Sequence, residues 1–266
     1  MLAAEQIAQF EREGYLVIRE LFEPWEVAEL QQAIAELLKP ITRRDRSPDT
    51  GFDPWFYGTD GGGDALNPHR VVYMNDLHLR HRRLNAHMRS NKLCDIFCEL
   101  WQVDINSFQA ATVLKPNQYD AEYHGWHQDM PDYVPLSNDR NACVITYLSE
   151  MGPNSGGTSF VPASHKGGLP KRTYETIEGW PEKLKKRSIA GFNETDANVV
   201  SPDFRPGDAF VFHSSLYHRA NSNDTDETKV GLINVYQAQD CIDLESRNQF
   251  KAADLPMTRN RRPISF

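Results

Sequence analysis

Apolar residues recur at helical spacing up to about position 104 and in short alternating or continuous runs beyond it, and this change of period divides the chain. Residues 4–13 put Ile7 and Phe10 on one side of a short helix, Gly14 stops it, and the β-branched "YLVI" at 15–18 reads as a strand. The stretch "EPWEVAELQQAIAELLKP" opens with acidic residues and a proline near its first turn. Val27, Leu30, Ile34, Leu37 and Leu38 follow at helical spacing, and Pro40 ends the helix. Two more helical stretches are predicted at about 81–89 and 91–101. From about 105 onward come "FQAATVL", "ACVITYL", "GTSFVPAS", "DAFVFHS" and "VGLINVYQ", each bounded by turn residues. Short strands at this spacing predict an antiparallel sandwich or jelly roll.

The expected fold is therefore mainly β with helices (α+β): a jelly-roll core backed by N-terminal helices. One domain spanning 1–266 is the economical division. Within it, 1–104 is mainly helical support, 105–248 the core, 166–205 a charged insertion or lid, and 249–266 a tail. The polar stretch 42–68, with "TDGGGD", reads as a surface loop or lid.

Charge and cysteine usage narrow the function classes. A formal net charge of −8 gives no global attraction to nucleic acid or anionic membranes. The basic runs "LRHRRLNAHMR", "EKLKKR" and "RNRRP" read as solvated faces or tails. Cys94 and Cys98 sit four apart in an apolar helical pattern, which points to packing, and with Cys143 and Cys241 they form no CxxC. Nothing calls for an oxidising compartment, and neither a signal peptide nor a membrane span is visible, so a cytoplasmic protein without nucleic-acid or membrane partners is expected.

The candidate chemistry lies in "HGWHQDM" (124–130) and "HSSLYH" (213–218). On an extended strand side chains two apart share a face, so His127 and Asp129 project together while Gln128 points away. One imidazole and one carboxylate suit two adjacent positions of a metal, and a remote histidine would complete the 2-His-1-carboxylate triad of non-haem Fe(II) oxygenases. His218 is the candidate for that third position; His124, three residues before His127, is a poor co-ligand. By spacing alone, a hydrogen-bonded His127–Asp129 pair in a polar loop stands as the alternative.

The ordered motifs go further. "GWHQDM", the Gly-rich turn leading to "VPASHKGG", "RPGDAFVFHSSLYHRANSN" and the opening "IAQFEREGYLVIRELFEPWEVAEL" together resemble the phytanoyl-CoA hydroxylase-like family of Fe(II)/2-oxoglutarate dioxygenases. The resemblance implies a double-stranded β-helix of cupin-like type, with His127, Asp129 and His218 as iron ligands and His213 as a structural position. Gln128, Gly156 and Asn223 fall where the family keeps supporting residues. It implies Fe(II), 2-oxoglutarate and O₂ as reactants with a small-molecule substrate. Lys229 stands eleven residues after His218, where relatives place an arginine for the far carboxylate of 2-oxoglutarate. Lysine supplies the charge as a point donor and not as a fork, with Arg219 as a candidate helper. Ile145 replaces a tryptophan common in relatives, and Gln109 and Asn117 are further candidates for cosubstrate contact.

Because Asp129 is present, hydroxylation is expected over halogenation, in which a small residue replaces the carboxylate. Desaturation, epoxidation and cyclisation share the same triad. Two readings of another kind are a cupin-like zinc hydrolase or isomerase and a sandwich that kept the fold and lost the reaction. Trp126, Tyr133, Trp180 and Phe192 are candidate apolar substrate contacts, with packing as the alternative for each.

Overall fold

The computed structural model describes residues 2–38, 73–74, 76–118, 125–129, 136–176, 185–242, 244 and 255–264. Helix α1 (Ala4–Glu13) ends where Gly14 takes the left-handed φ of +80° and donates its N–H to Phe10 O. Strand β1 (Tyr15–Ile18) follows, then α2 (Pro24–Leu38), whose Val27, Leu30, Ala33 and Ile34 form one buried stripe. Proline at the first helical position costs nothing, because its missing N–H would have no intrahelical partner there. After β2 (Tyr73–Met74) come α3 (Leu77–Arg80), α4 (Arg82–Met88) and α5 (Asn91–Trp101). Cys94 and Cys98 are buried on α5, as their spacing predicted.

The remaining strands are β3 (Ile105–Lys115), β4 (Asn141–Tyr147), β5 (Thr158–Val161), β6 (Arg172–Thr176), β7 (Lys185–Ile189), β8 (Ala209–His213), β9 (Tyr217–Ala220), β10 (Lys229–Ala238), β11 (Leu255–Pro256), β12 (Thr258–Arg259) and β13 (Arg262–Pro263). A seven-stranded antiparallel sheet runs β1-β8-β4-β10-β3-β11, with β2 also on β3. A small sheet pairs β5 with β9. It is extended by isolated bridges from His127 to His218 and from Phe160 to Val200.

The large sheet is buried on both faces, which is why its strands read as nearly continuous apolar runs. Ala142, Val144, Ala209, Val211, Leu232 and Tyr236 face the helices and pack with Leu30, Ile34 and Phe97. Cys143, Ile145, Tyr147, Phe210, Phe212 and Val235 face the other way, into the space between the sheets, where they meet Phe160 and Phe204. There the Phe160 and Phe210 rings stack at 4.7 Å, and Tyr147 stacks on Phe204 at 4.0 Å. Each fully buried ring adds about 1.5–3 kcal/mol of transfer free energy.

Two boundaries differ from those read off the sequence. The large sheet draws in β1 and β11 from outside 105–248, because β8 and β3 each offer an edge that another strand must cover. The stretch 166–205 is not wholly an insertion: β6 and β7 form a hairpin, but Val200 bridges to Phe160 and Phe204 to Met151. The end of that stretch is thus a wall of the barrel. The 42–68 loop, His124, Tyr133 and Trp180 lie outside the described residues.

A β-bulge on β3 matters for what lines the barrel. Val235 pairs with Gln109 and Tyr236 with Ser107, so Phe108 is the extra residue. Before it, Ile105 faces the helices; after it, Ala110 and Leu114 do. The parity of inward-facing positions therefore changes from even to odd at Phe108.

Candidate metal centre

His127, Asp129 and His218 come together. One ligand atom from each lies within 4.8 Å of the others, with His127 Nε2 3.6 Å from Asp129 Oδ1 and His218 Nε2 3.8 Å from Asp129 Oδ2. Backbone bonding sets this geometry. His127 and His218 exchange both N–H···O=C bonds at 3.0 Å, so the two side chains leave the same face side by side, ring centroids 4.2 Å apart. Asp129 is fixed separately, its N–H bonding to Ser214 O at 2.8 Å just past the end of β8. The large sheet thus places the carboxylate and the small sheet places the imidazoles.

The donor set fits a divalent transition metal. His127 Nδ1 lies 2.7 Å from Gly125 O and His218 Nδ1 2.9 Å from Leu216 O. A carbonyl accepts only from N–H, so both protons sit on Nδ1 and both Nε2 lone pairs turn to the centre. Two imidazole nitrogens and one carboxylate on one side leave the other side open, the pattern of non-haem Fe(II) sites. Asp129 Oδ2 also accepts from the Cys143 thiol at 3.2 Å. Burial, and then the Asp129 charge, push that thiol well above its ordinary pKa, so it stays a donor.

Gln128 points away as expected, its amide donating to Ser215 O at 2.6 Å and Gly168 O at 3.1 Å. His213 also turns away, toward Phe10 and His165; its Nδ1 accepts from Ser215 N–H at 3.0 Å, and burial lowers its pKa to about 4. Trp126 and Arg219 lie on the opposite side from the two ligand histidines. Arg219 sits over the Trp126 ring and pairs with Glu194 at 3.0 Å, Trp126 Nε1 donates to the same carboxylate at 2.7 Å, and Phe192 packs against Trp126 at 5.0 Å. Packing, and not the inner face, accounts for Trp126, Phe192 and Arg219.

Lys229 opens β10 on the inward-facing parity, directly opposite Lys115 on β3. Both are buried; Lys229 Nζ reaches the exposed Glu227 carboxylate at 3.0 Å. Burial lowers the Lys115 pKa to about 8. Sequence reading missed Lys115, although a lysine inside "AATVLKP" at the end of an apolar strand is the available signal. Gly156 makes room for it: at φ +77° its absent Cβ would lie 2.6 Å from Lys115 Cγ. Asn223 Nδ2 donates to Lys115 O and Pro116 O at 2.9 Å and to Glu227 O at 2.7 Å, tying the end of β3 to the turn before β10. Gln109 stands opposite Val235, level with Cys143; Asn117 lies beyond the end of β3, two residues past Lys115.

Comparison with known proteins agrees with this architecture. The sequence pattern of the phytanoyl-CoA dioxygenase (PhyH) family matches residues 10–231. The chain belongs to that family. The PhyH relatives include the ectoine dioxygenase of Sphingopyxis alaskensis, 25% identical over 89% of this chain and 76% of that protein. The crystal structure of EctD from S. alaskensis in its apoform superposes with a TM-score of 0.68 at 21% identity, covering 89% and 77% of the two chains. The epimerase SnoN from nogalamycin biosynthesis, a non-haem α-ketoglutarate-dependent enzyme, gives 0.67 at 19% identity over 98% and 94%. The shared fold is the cupin-like jelly roll expected from the sequence. Among the described residues no helix is long and apolar enough to cross a membrane.

Proposed function

We propose that this PhyH-family protein is an Fe(II)- and 2-oxoglutarate-dependent oxygenase that hydroxylates a C–H bond of a small molecule, with His127, Asp129 and His218 holding the iron. The observation that carries the assignment is the pair of Nδ1–H···O=C bonds, which aim both Nε2 atoms at one carboxylate. Iron and 2-oxoglutarate supply the oxidising chemistry, in which O₂ is consumed and succinate and CO₂ are released as the substrate gains oxygen.

The chain's own residues hold and orient. Cys143 and the Ser214 carbonyl fix Asp129 from its side chain and its backbone. Lys229, with Lys115 beside it, provides a cationic end inside the barrel for the far carboxylate of the cosubstrate. Two point charges there replace the single bidentate fork of an arginine. Phe160, Phe210 and Phe212 keep water from the space between, where electrostatic interactions are stronger for lack of it. Gln109, level with Cys143, is a further contact. Arg219 is not part of this arrangement, since it faces Glu194. Residues 1–266 act as one catalytic unit in the cytoplasm.

The named relatives are an ectoine dioxygenase and an epimerase of nogalamycin biosynthesis, so the family does not fix the substrate. Anaerobic titration of the apo-protein with Fe(II) and 2-oxoglutarate tests the proposal. A visible charge-transfer band is expected, absent in Asp129→Ala and displaced to higher 2-oxoglutarate concentration in Lys229→Ala. Iron that binds without producing the band would refute it and favour metal-dependent hydrolysis.

A further inference from the structure

The inner face of the large sheet can be followed row by row across β3, β10 and β4. From the lysine end, the rows are Lys115–Lys229, Val113–Gly231–Tyr147, Ala111–Ile233–Ile145, Gln109–Val235–Cys143 and, past the bulge, Asn106–Gln237–Asn141. The first row is cationic, the next two almost wholly apolar, and the fourth touches Asp129 through Cys143. The fifth consists only of amides, and all three are 0% exposed. Ser214 continues it, its hydroxyl donating to Asn141 Oδ1 while its carbonyl accepts the Asp129 N–H. The amide row is therefore one pleat repeat from the residue that braces the carboxylate.

The two asparagines of this row do not complete their hydrogen bonds. Among the described residues neither Nδ2 nor Oδ1 of Asn106 has a partner, and Asn141 Nδ2 has none. A buried amide without partners destabilises a fold by more than a made hydrogen bond stabilises it, and leucine would occupy the same position without that cost. Folding alone gives no reason for Asn106, so a ligand is the natural partner. With the cosubstrate extending from the metal toward the lysines, the amide side is the side left for substrate.

We propose that Asn106 and Asn141, with Gln237 between them, are the substrate-recognition row of this site, and that the substrate is a compact molecule bearing amide or hydroxyl groups near the oxidised carbon, not a hydrocarbon chain. The proposal rests on the oxygenase reading above for its orientation. A site lined with donors and acceptors rejects an apolar analogue strongly, because binding it would leave those groups unpaired.

The test compares wild type with Asn106→Leu, and with Asn106→Met as a companion of more adaptable shape, all as the Fe(II)/2-oxoglutarate complex. Three quantities are read: the visible band, the midpoint of thermal unfolding, and succinate release with two probe sets, N-acetyl amino-acid amides and unbranched fatty acids of equal heavy-atom count. The variants should keep the band and unfold about 2–6 °C higher than wild type. Wild type should respond to the amides and not to the fatty acids, and the variants should lose that response at least tenfold. A lower unfolding midpoint with the band intact would overturn the proposal, since Asn106 would then be serving the fold. So would an equal or larger response to the fatty acids, or failure of both variants to fold. If neither probe set stimulates turnover, the unfolding midpoint decides. Absence of the band in wild type would strike the cosubstrate reading instead, and the unfolding comparison would still judge the row.

Discussion

The two sheets of the barrel do different work with different means. The large sheet is a continuous ladder: β10 alone pairs along ten positions with β3 and seven with β4, and its residues are locked on both faces. The small sheet has one four-residue pairing, β5 with β9, and gains its other members only through single bridges. Yet both histidines of the centre leave from the small sheet, while the carboxylate and the lysines depend on the large one. Precision at the centre therefore does not require a long ladder. Two reciprocal backbone bonds and two ring-to-carbonyl bonds suffice to aim a pair of imidazoles, provided a rigid sheet opposite supplies the counterpart.

Mutations on either side should separate these contributions. The largest effect is expected for His218→Ala and Asp129→Ala, which should abolish Fe(II)-dependent succinate release while circular dichroism of the folded protein stays unchanged. Phe210→Ala, which removes the ring stacked on Phe160 and Phe212, should cost about 3–5 kcal/mol in urea unfolding, because the rigid sheet cannot collapse into the cavity. Next comes a pH effect from the helical side. His87 on α4 is buried, with Nε2 3.3 Å from Thr146 Oγ1, and burial lowers its pKa from 6.5 to about 4. The unfolded chain takes up this proton first, so the contribution is complete above pH 6.5 and is lost as pH falls from there toward 4. Unfolding free energies measured across that window should drop by about 3 kcal/mol from this group, and His87→Gln should flatten that part of the curve.

Smaller changes sharpen the comparison. Lys229→Ala should weaken 2-oxoglutarate binding by about 10–100-fold, the loss expected for a charge-assisted hydrogen bond, with Lys229→Arg largely restoring it. Cys143→Ala should lower Fe(II) affinity by about tenfold through a less firmly held Asp129, and Cys143→Ser, which keeps a donor, should fall between that and wild type. An unchanged affinity in Cys143→Ala would show that the Ser214 carbonyl alone holds the aspartate.

Much of this was legible in the sequence, for specific reasons. The helices announce themselves by period, and the inner strands by apolar runs that only burial on both faces permits. His127 and Asp129 could be paired because alternation is a local rule. What was not legible depends on contacts between distant segments. β9 is too short to read as a strand, so the bridge that aligns His218 with His127 leaves no local trace. Arg219 seemed available as a cosubstrate helper until Glu194, twenty-five residues earlier, proved to be its partner. Lys115 passed unnoticed because its importance comes from Lys229 across the ladder, and Val200 and Phe204 looked like insertion because their partners are Phe160 and Met151.

The extra residue at Phe108 has a consequence for how such a barrel can change its diet. Inward and outward are assigned by counting, and this bulge is where the count is reset. Absorbing that residue into a regular ladder, with Phe108 opposite Tyr236, would exchange the roles of Ile105 and Asn106, turning an aliphatic side chain toward the metal and an amide toward the helices without altering any residue of the chain. A lineage with this fold can thus rewrite the chemistry of its pocket by losing or moving one bulge, an edit that position-by-position comparison of the sequences would not record.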